Sequence, residues 1–241
     1  MSISYLVIIP TYNEADSLPM LLRELSMLRS DFSFLVVDDG SPDGTADICE
    51  KLKPEIPTLE ILRRFKKSGL GSAYRDGYQF ALEKHFDAII QIDADGSHQV
   101  SDLSKLLSKF ESSPSIDLVI GSRWIKGGSV LNWSKHRKAL SRLANIYSNF
   151  LLALGVKDST AGFRVYKTSV IKKLNLSRIK SEGYCFQIEM TREVKKIGGT
   201  VSEVPITFVE RQFGVSKMSG KIVIEAMRRV TYWGLLRIFR K

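Results

Sequence analysis

The sequence predicts an α/β protein with a doubly wound, mostly parallel sheet and helices on both faces. Short apolar runs rich in β-branched residues alternate with segments of helical periodicity through the first half of the chain. Each run is bounded by turn or charged residues, as expected for strands buried on both sides. Such alternation is typical of parallel strands joined by crossover helices.

Five strands and four helices are predicted in this half. The strands are expected at residues 5–9, 34–37, 59–62, 88–92 and 117–120. The helices are expected at residues 17–28, 45–52, 71–84 and 102–110. Ser101 is the expected N-cap of the fourth helix, because serine is favoured at helix starts. The glycines around Leu70 match no phosphate-binding fingerprint and predict a tight turn into the third helix.

The second half differs in character from about residue 125 onward. Gly127-Gly128 opens a loop, a basic and aromatic stretch follows, and helical periodicity then runs over residues 139–154. We expect this half to complete a site on the first half rather than to fold independently. The predicted organisation is one domain over residues 1–219 followed by a basic, amphipathic helix over residues 220–241.

Composition limits the classes of partner. The 241 residues suffice for one sizeable domain, and the formal net charge of +10 indicates an anionic partner, whether nucleic acid, phosphorylated substrate or acidic membrane. The two cysteines, Cys49 and Cys185, lack metal-type spacing and fit a reducing interior. The chain shows neither a basic leader nor an apolar run of about 18 residues, so membrane contact is expected to be peripheral.

Acidic residues follow two of the predicted strands. Asp38 and Asp39 follow the second strand, and the motif Asp93-Ala94-Asp95 follows the fourth. Ligands of doubly wound sheets bind outside the carboxyl ends of the strands. Mg²⁺ or Mn²⁺ on a diphosphate needs few protein oxygens, because the phosphates supply others. The motif therefore fits a metal-diphosphate site, with helix caps and solvated turns as the alternative interpretation of both clusters.

Nine sequence strings occur in the order found in one enzyme family. They are IPTYNEADSLP, VVDDGSPDGTAD, GLGSAYRDGY, IDADGSH, GSRWIKGG, the spacing of Trp133, Arg137 and Ser141, AGFRVYK, GYCFQIEM and VPITFVERQFGVSKMS. On these strings the chain resembles the inverting family-2 glycosyltransferases of the Rossmann-like GT-A fold, and within them the dolichyl-phosphate (polyprenyl-phosphate) mannose synthases. The resemblance implies transfer of mannose from GDP-mannose to a polyprenyl or dolichyl phosphate, with Mg²⁺ or Mn²⁺ as cofactor.

The resemblance also implies roles for individual residues. Nucleotide-sugar contacts are implied for Pro10, Tyr12, Glu14, Val37, Asp39, Asp93, Ala94, Arg211 and Lys217. Metal coordination is implied for Asp95, helped by Asp93, and the implied catalytic residues are Asp95, Arg123 and Lys217. Acceptor-phosphate contacts are implied for Arg123, Arg137 and Ser141. Ser97 stands where some members carry Gln, so it is not expected to ligate the metal.

The nature of the acceptor decides whether a general base is needed. A phosphomonoester is largely ionised at pH 7 and is already a nucleophile, whereas a neutral hydroxyl commonly needs a carboxylate base. Asp158 is the candidate base for a hydroxyl acceptor, but with a phosphate acceptor we expect it to hold a loop or an arginine. Arg123 and Arg137 suit phosphate because planar guanidinium groups match its oxygens.

The C-terminal segment predicts contact with a membrane surface. Large apolar residues alternate there with Arg228, Arg229, Arg237, Arg240 and Lys241, as in helices that lie at an anionic interface. Packing of this helix on the domain is the alternative. The expected location is cytoplasmic, peripheral on the cytoplasmic face of a membrane, and recruitment by a transmembrane partner protein stays open.

Two other functions are weighed against this one. A glucosyl or other sugar transferase using a UDP-sugar is the nearest, because the motifs specify diphosphate chemistry better than sugar stereochemistry. A nucleic-acid-binding α/β module would explain the basic charge but not the strand-end carboxylates, which repel a phosphate backbone. We therefore expect no nucleic acid partner.

Overall fold

The computed structural model describes residues 3–211 and 220–239 and contains a seven-stranded sheet, a two-stranded sheet and helices on both faces of the larger sheet. The strands are Tyr5–Thr11 (β1), Phe32–Asp38 (β2), Leu59–Arg63 (β3), Ala88–Gln91 (β4), Leu118–Ser122 (β5), Ser129–Leu131 (β6), Arg164–Lys167 (β7), Val201–Pro205 (β8) and Thr207–Val209 (β9). The helices are Leu18–Leu28 (α1), Thr45–Leu52 (α2), Leu70–Glu83 (α3), Val100–Glu111 (α4), Lys135–Leu152 (α5), Thr168–Lys173 (α6), Gly183–Lys196 (α7) and Gly220–Phe239 (α8).

The larger sheet is mostly parallel. Its strand order is β3-β2-β1-β4-β7-β5-β8, and β7 runs antiparallel to both of its neighbours. The parallel pairs β1–β4 and β1–β2 place the ends of β2 and β4 at one edge, where Asp39 and Asp93 follow them. The small sheet pairs β6 with β9 in parallel, so the end of β9 lies beside this edge through a hydrogen bond from Val209 N to Ser97 O of 3.0 Å.

Apolar side chains fill two cores, one on each face of the sheet. Alternate residues of β1 enter different cores, with Val7 in the one beneath α1, α2 and α4 and Ile8 in the one beneath α3, α6 and α7. Burial on both faces explains why the parallel strands have nearly continuous apolar sequences.

The predicted fold class is confirmed, and all five predicted strands and four predicted helices exist with ends shifted by a few residues. The predicted cap of α4 is wrong, because Gln99 has the extended backbone of the N-cap and Ser101 lies inside the helix. Helix α5 begins four residues earlier than predicted, because Ser134 caps it by accepting a 3.3 Å hydrogen bond from Arg137 N.

Helix α8 packs on the domain with one face. Val230 and Trp233 are buried in the core beneath α7, and Gly234 lets α8 approach α5 because a Cβ there would lie 3.1 Å from Leu151 Cβ. The helices among residues 3–211 and 220–239 are each too short or too polar to cross a membrane.

Candidate active site

Two aspartates lie side by side at the end of β4. Asp93 contacts the Tyr74 hydroxyl and His98 Nε2, each at 3.4 Å. Asp95 accepts a 3.1 Å hydrogen bond from Ser97 N and pairs with Arg211 Nη2 at 3.2 Å. Burial raises the pKa of Asp93, but His98 and Arg211 outweigh burial and hold this pKa below its usual value. The Asp93 carboxylate is therefore expected to be ionised at neutral pH.

The chemistry of this pair fits a divalent cation. Mg²⁺ and Mn²⁺ prefer oxygen ligands, and a cation that also binds a diphosphate keeps only one or two carboxylates. Asp93 and Asp95 supply two, and no group of three or more potential ligands occurs among residues 3–211 and 220–239.

Gly162 lies against the carboxylate of Asp93, which occupies the space that a side chain at position 162 would need. A Cβ at this position would lie 3.2 Å from Asp93 Oδ2 and 3.4 Å from Oδ1, so the carboxylate would have to shift. We expect Gly162→Ala to weaken Mn²⁺ binding about tenfold, as measured by titration of the protein with Mn²⁺.

Gly121→Ala is the control for this prediction. Its Cβ would lie 2.9 Å from Ile206 Cγ2, in the core and away from the carboxylates, so it strains the same sheet without touching Asp93. Equal Mn²⁺ affinities for wild type and Gly162→Ala would contradict the placement of the metal at Asp93.

Asp39 holds the segment that leads into α3. Its Oδ2 accepts hydrogen bonds from Ser68 N at 3.1 Å and Gly69 N at 3.0 Å, and its Oδ1 lies 2.7 Å from Arg64 Nη1. The carboxylate of Asp39 therefore already accepts from donors of the protein. A direct hydrogen bond from a base or ribose to Asp39 stays a prediction. Its contacts shape the wall between β2 and α3.

The N-terminus of α3 is capped from a distant part of the chain. Glu182 accepts hydrogen bonds from Gly71 N at 2.7 Å and Ser72 N at 3.1 Å, and it pairs with Arg75 at 3.2 Å. Amides that begin a helix need such acceptors. Gly69 directly precedes α3 with a φ of +104°, which favours glycine.

The other residues implied to bind the nucleotide lie near the ends of β1, β2 and β4. Tyr12 is half-buried with Lys67 Nζ 3.8 Å from its ring centre, and Glu14 accepts a 3.2 Å hydrogen bond from the Ser17 hydroxyl. Val37 has its side chain in the core, so only its main chain is left to meet a ligand. The positions that remain predictions at this edge are Pro10, Tyr12, Glu14, Val37, Asp39 and Ala94. Lys217 lies outside the described residues.

Arg123 is a buried guanidinium held by a fixed ion pair. Its Nε and Nη2 donate to the two oxygens of Asp158 at 2.8 and 2.7 Å, its backbone N donates to Asp158 at 2.9 Å, and Nη2 also donates to Thr160 Oγ1 at 2.8 Å. Burial raises the pKa of Asp158, but Arg123 outweighs burial and holds it below its usual value. Among the described residues, no hydrogen bond from Nη1 of Arg123 is formed.

Arg137 and Arg123 both lie close to the ring of Trp133. The guanidinium carbons of Arg123 and Arg137 lie 5.4 and 4.1 Å from the centre of the Trp133 ring. Arg137 also pairs with Glu210 at 2.5 Å. Ser141 follows Arg137 by one helical turn, and it lines a groove together with Arg123 and Arg137. The structure thus brings together the three residues implied to bind the acceptor phosphate.

An apolar groove leads away from the two arginines. It runs between α5, α7 and α8. Its lining residues are Arg123, Trp133, Arg137, Leu140, Ser141, Ala144, Tyr147, Thr160, Tyr184, Ile188, Ala226, Met227 and Val230. A site that is cationic at one end and apolar along its length suits an amphipathic anion such as a lipid phosphate.

Two consecutive residues connect the acidic and the basic side of the site. Glu210 pairs with Arg137 on the groove side, and Arg211 pairs with Asp95 on the carboxylate side. They follow β9, which the small sheet holds at the edge of the larger one. The carboxylates and the arginines therefore belong to one site.

Sequence reasoning missed several residues of this site. The sequence predicted no contact for Trp133 and showed only its spacing from Arg137 and Ser141. It predicted no role for Thr160, Glu210 or Asn145. Each of these three residues contacts a partner far away along the chain. Thr160 is 37 residues from Arg123, Glu210 is 73 residues from Arg137, and Asn145 is 13 residues from Asp158. Periodicity carries no signal for contacts of this kind.

Comparison with known proteins agrees with this geometry. Residues 6–174 match the family described as Glycosyl transferase family 2. The chain belongs to this family. The polyprenol monophosphomannose synthase of Mycolicibacterium smegmatis is 46% identical over 231 residues, covering 95% of this chain and 86% of the relative. The undecaprenyl-phosphate mannosyltransferase of Micrococcus luteus is 46% identical over 230 residues, covering 95% of this chain and 93% of the relative.

Solved structures of a glucosyl-transferring synthase agree in fold. The glucosyl-3-phosphoglycerate synthase of Mycobacterium tuberculosis, in complex with Mn²⁺, uridine diphosphate and glucosyl-3-phosphoglycerate, superposes with a TM-score of 0.68 at 16% identity over 98% of this chain and 80% of that one. The complex of the same enzyme with phosphoglyceric acid gives a TM-score of 0.68 at 17% identity over the same shares of the two chains. The predicted GT-A fold is thereby confirmed.

Proposed function

We propose that this family-2 glycosyltransferase moves mannose from GDP-mannose to the phosphate of a polyprenyl phosphate. The observation that carries the proposal is the two-sided site, with Asp93 and Asp95 on one side and Arg123 and Arg137 at the mouth of an apolar groove on the other. A nucleoside diphosphate bound through a metal suits the acidic side, and a lipid phosphate suits the basic side. The names of the two relatives at 46% identity support this donor sugar and acceptor class.

The reaction joins an oxygen of the lipid phosphate to the anomeric carbon of mannose. The bond between that carbon and the diphosphate oxygen breaks, and its electron pair leaves with GDP. The phosphate oxygen carries no proton that must be removed at pH 7, because the second pKa of a phosphomonoester lies near 6. Attack from the face opposite the diphosphate inverts the anomeric centre.

The buried state of Asp158 supports an acceptor that needs no general base. Both of its oxygens accept hydrogen bonds from Arg123, Asn145 or Thr160, and the side chain is fully buried. A general base must reach the proton that it removes. In this proposal Asp158 orients Arg123, and Arg123 with Arg137 binds the acceptor phosphate and steadies its charge.

Asp93 and Asp95 would hold Mg²⁺ or Mn²⁺. When bound, the ion supplies positive charge to the departing diphosphate. Arg211, which contacts Asp95, lies where its guanidinium can add to that charge. Tyr12, Glu14 and the segment held by Asp39 would form the nucleoside end of the donor site.

A panel of donors and acceptors tests the proposal. Radiolabelled GDP-mannose and UDP-glucose are each incubated with short-chain polyprenyl phosphate, with the corresponding polyprenol and with 3-phosphoglycerate. We expect organic-soluble label only from GDP-mannose with polyprenyl phosphate. Turnover of UDP-glucose alone would show that the donor is UDP-glucose and not GDP-mannose. Transfer of label to 3-phosphoglycerate would contradict the proposal that the acceptor is a lipid phosphate.

We also propose that the outer faces of α5 and α8 lie on an anionic membrane. Most of the exposed large apolar side chains among the described residues lie on these two packed helices. They are Leu140, Leu143, Ile146 and Phe150 on α5, and Ile224, Met227, Tyr232, Leu235, Ile238 and Phe239 on α8. The exposed cations Arg142, Arg228 and Arg237 are interspersed with them and complement anionic headgroups. The groove between α5 and α8 then opens towards its lipid substrate, and location on the cytoplasmic face of that membrane stays part of the proposal.

Replacing two of these side chains should weaken membrane binding. We expect the double variant Leu143→Ser and Phe150→Ser to lose at least about tenfold in its partition to phosphatidylglycerol vesicles, because it removes two apolar groups from the interface. Vesicle sedimentation measures the partition. Met27→Ser, at an equally exposed position on α1 across the sheet, is the control and should bind like wild type. Unchanged sedimentation of the double variant would contradict this orientation.

A further inference from the structure

Helix α5 carries three polar residues on the face that looks into the site. Arg137, Ser141 and Asn145 follow one another at intervals of four residues, which places them one above the other on the helix. The first two line the groove for the acceptor, whereas Asn145 is buried behind them. A buried amide needs hydrogen-bond partners for both its oxygen and its nitrogen.

Asn145 forms hydrogen bonds to one short loop with both ends of its amide. Its Nδ2 lies 3.3 Å from Asp158 Oδ1 and 3.1 Å from Thr160 Oγ1, and it donates to Ser141 O at 3.0 Å. Its Oδ1 accepts from Ser159 Oγ at 3.0 Å and from Thr160 N at 3.3 Å. Because a backbone N–H can only donate, the bond from Thr160 N fixes which end of the amide is the oxygen.

The loop atoms that Asn145 contacts are the ones that hold Arg123. Asp158 Oδ1 and Thr160 Oγ1 both accept from Arg123 Nη2, at 2.7 and 2.8 Å. Arg123 comes from the end of β5, whereas Arg137 and Ser141 come from α5. The side chain of Asn145 therefore joins α5, which carries Arg137, to the loop whose side chains hold Arg123.

We infer that Asn145 is a positioning residue that sets the separation of Arg123 and Arg137 and thereby tunes binding and turnover of the acceptor phosphate. The inference rests on the proposed function, because it assigns the two arginines to the acceptor. Without Asn145 the ion pair of Arg123 with Asp158 persists, but Asp158 and Thr160 lose their direct hydrogen bonds to α5, and of the described hydrogen bonds between residues 158–160 and this helix only the one between Ser148 and Ser159 is left. Displacements of about 1 Å in such positioning cost about 100-fold in rate.

The test compares Asn145→Ala and Asn145→Asp with Ser148→Ala. Asp keeps the shape and an acceptor oxygen but removes the Nδ2 donor beside Asp158. Ser148 is equally buried on α5 and bonds Asn145 O and Ser159 Oγ, but it contacts neither Asp158 nor Thr160. Each variant is assayed well below its thermal midpoint, with kcat and KM for short-chain polyprenyl phosphate and the Kd of GDP with Mg²⁺ measured side by side.

We expect both Asn145 variants to lose about tenfold or more in kcat/KM for the acceptor, while the Kd of GDP stays within about twofold of wild type. Ser148→Ala should keep the wild-type values of both. Equal losses in Ser148→Ala and Asn145→Ala, or parallel losses of acceptor kcat/KM and GDP affinity, would show a merely structural role and overturn the inference.

Failure of the proposed function is visible separately. Wild-type enzyme that transfers nothing to polyprenyl phosphate contradicts the proposed acceptor, and calorimetric binding of short-chain polyprenyl phosphate then still compares the variants with wild type. Wild-type affinity in Asn145→Asp, which keeps the shape of the side chain but places a carboxylate beside Asp158, would overturn the inference even if Asn145→Ala does not fold.

Discussion

Asp95→Asn is expected to lower kcat for mannosyl transfer about 1000-fold. The amide keeps the shape of the side chain but removes one of the two carboxylates that would hold the metal and leaves Arg211 without its partner at 3.2 Å. Loss of charge stabilisation at a departing group typically costs 10²- to 10³-fold, and loss of a metal ligand adds to this. Radiolabelled transfer from GDP-mannose at saturating Mg²⁺ measures the effect.

Asp87→Asn is the matched control for this prediction. Asp87 lies at the opposite end of β4, where it accepts hydrogen bonds from Ser4 N at 2.9 Å and from the Ser4 hydroxyl at 2.8 Å. Its replacement should leave kcat within about twofold of wild type, because surface substitutions away from a site have small effects. Retention of more than a tenth of wild-type activity by Asp95→Asn would contradict the metal assignment.

Asp158→Asn is expected to destabilise the fold by about 3 kcal/mol and to lower transfer about 100-fold, because it leaves the guanidinium of Arg123 buried without a countercharge. Both side chains are almost completely buried and lie 2.7 Å apart. Urea unfolding measures the free energy of unfolding. As a control, Asp47→Asn breaks a solvent-exposed pair with Arg63 and should cost less than about 1 kcal/mol.

A double variant separates stability from catalysis at this pair. Arg123→Met with Asp158→Leu replaces the pair by apolar side chains of similar volume, which is often neutral or stabilising for a buried pair. We expect it to recover much of the lost free energy of unfolding but none of the transfer. Recovery of transfer in the double variant would contradict the role of Arg123 at the acceptor phosphate.

The effect of Asp158→Asn on stability should depend on pH. The pKa of Asp158 is held below its usual value, near 3.9 for a free aspartate, because Arg123 outweighs the effect of burial. A lowered pKa contributes stability that is fully present above the unfolded-state value and is lost as the pH falls through the folded-state value. The difference in free energy of unfolding between wild type and Asp158→Asn, measured by urea unfolding, should therefore be constant from about pH 6 upward and become smaller in acid.

The sequence alone was enough to predict strands β1 to β5 and the place of the carboxylates. Long apolar runs such as β1 and β2 allow little choice of structure. Because Asp93 follows β4 by two residues, it must lie at the sheet edge where β2 also ends. Strand β7 lies between β4 and β5 in the sheet but comes later in the sequence. It was not predicted, because its four residues are too few to show a periodicity that distinguishes a strand from a loop.

The acceptor side was harder to read from sequence than the donor side. The basic stretch around Arg137 was evident, but its pairing with Glu210 and the network around Asn145 depend on contacts between distant segments. Helix α8 shows the same limit. Its amphipathic pattern is compatible with packing and with membrane contact, and in the structure one face is buried through Val230 and Trp233 while the other is exposed.

The configuration of the lipid product tests the central claim most directly. Wild-type enzyme, GDP-mannose with its α-linked sugar, short-chain polyprenyl phosphate and Mg²⁺ are incubated together, and the purified lipid is examined by proton and phosphorus NMR. We predict a single phosphodiester that joins mannose to the lipid through a β-linked anomeric carbon, because the acceptor phosphate attacks opposite the departing diphosphate. An α-linked product, or mannose attached to anything other than the lipid phosphate, would contradict the claim.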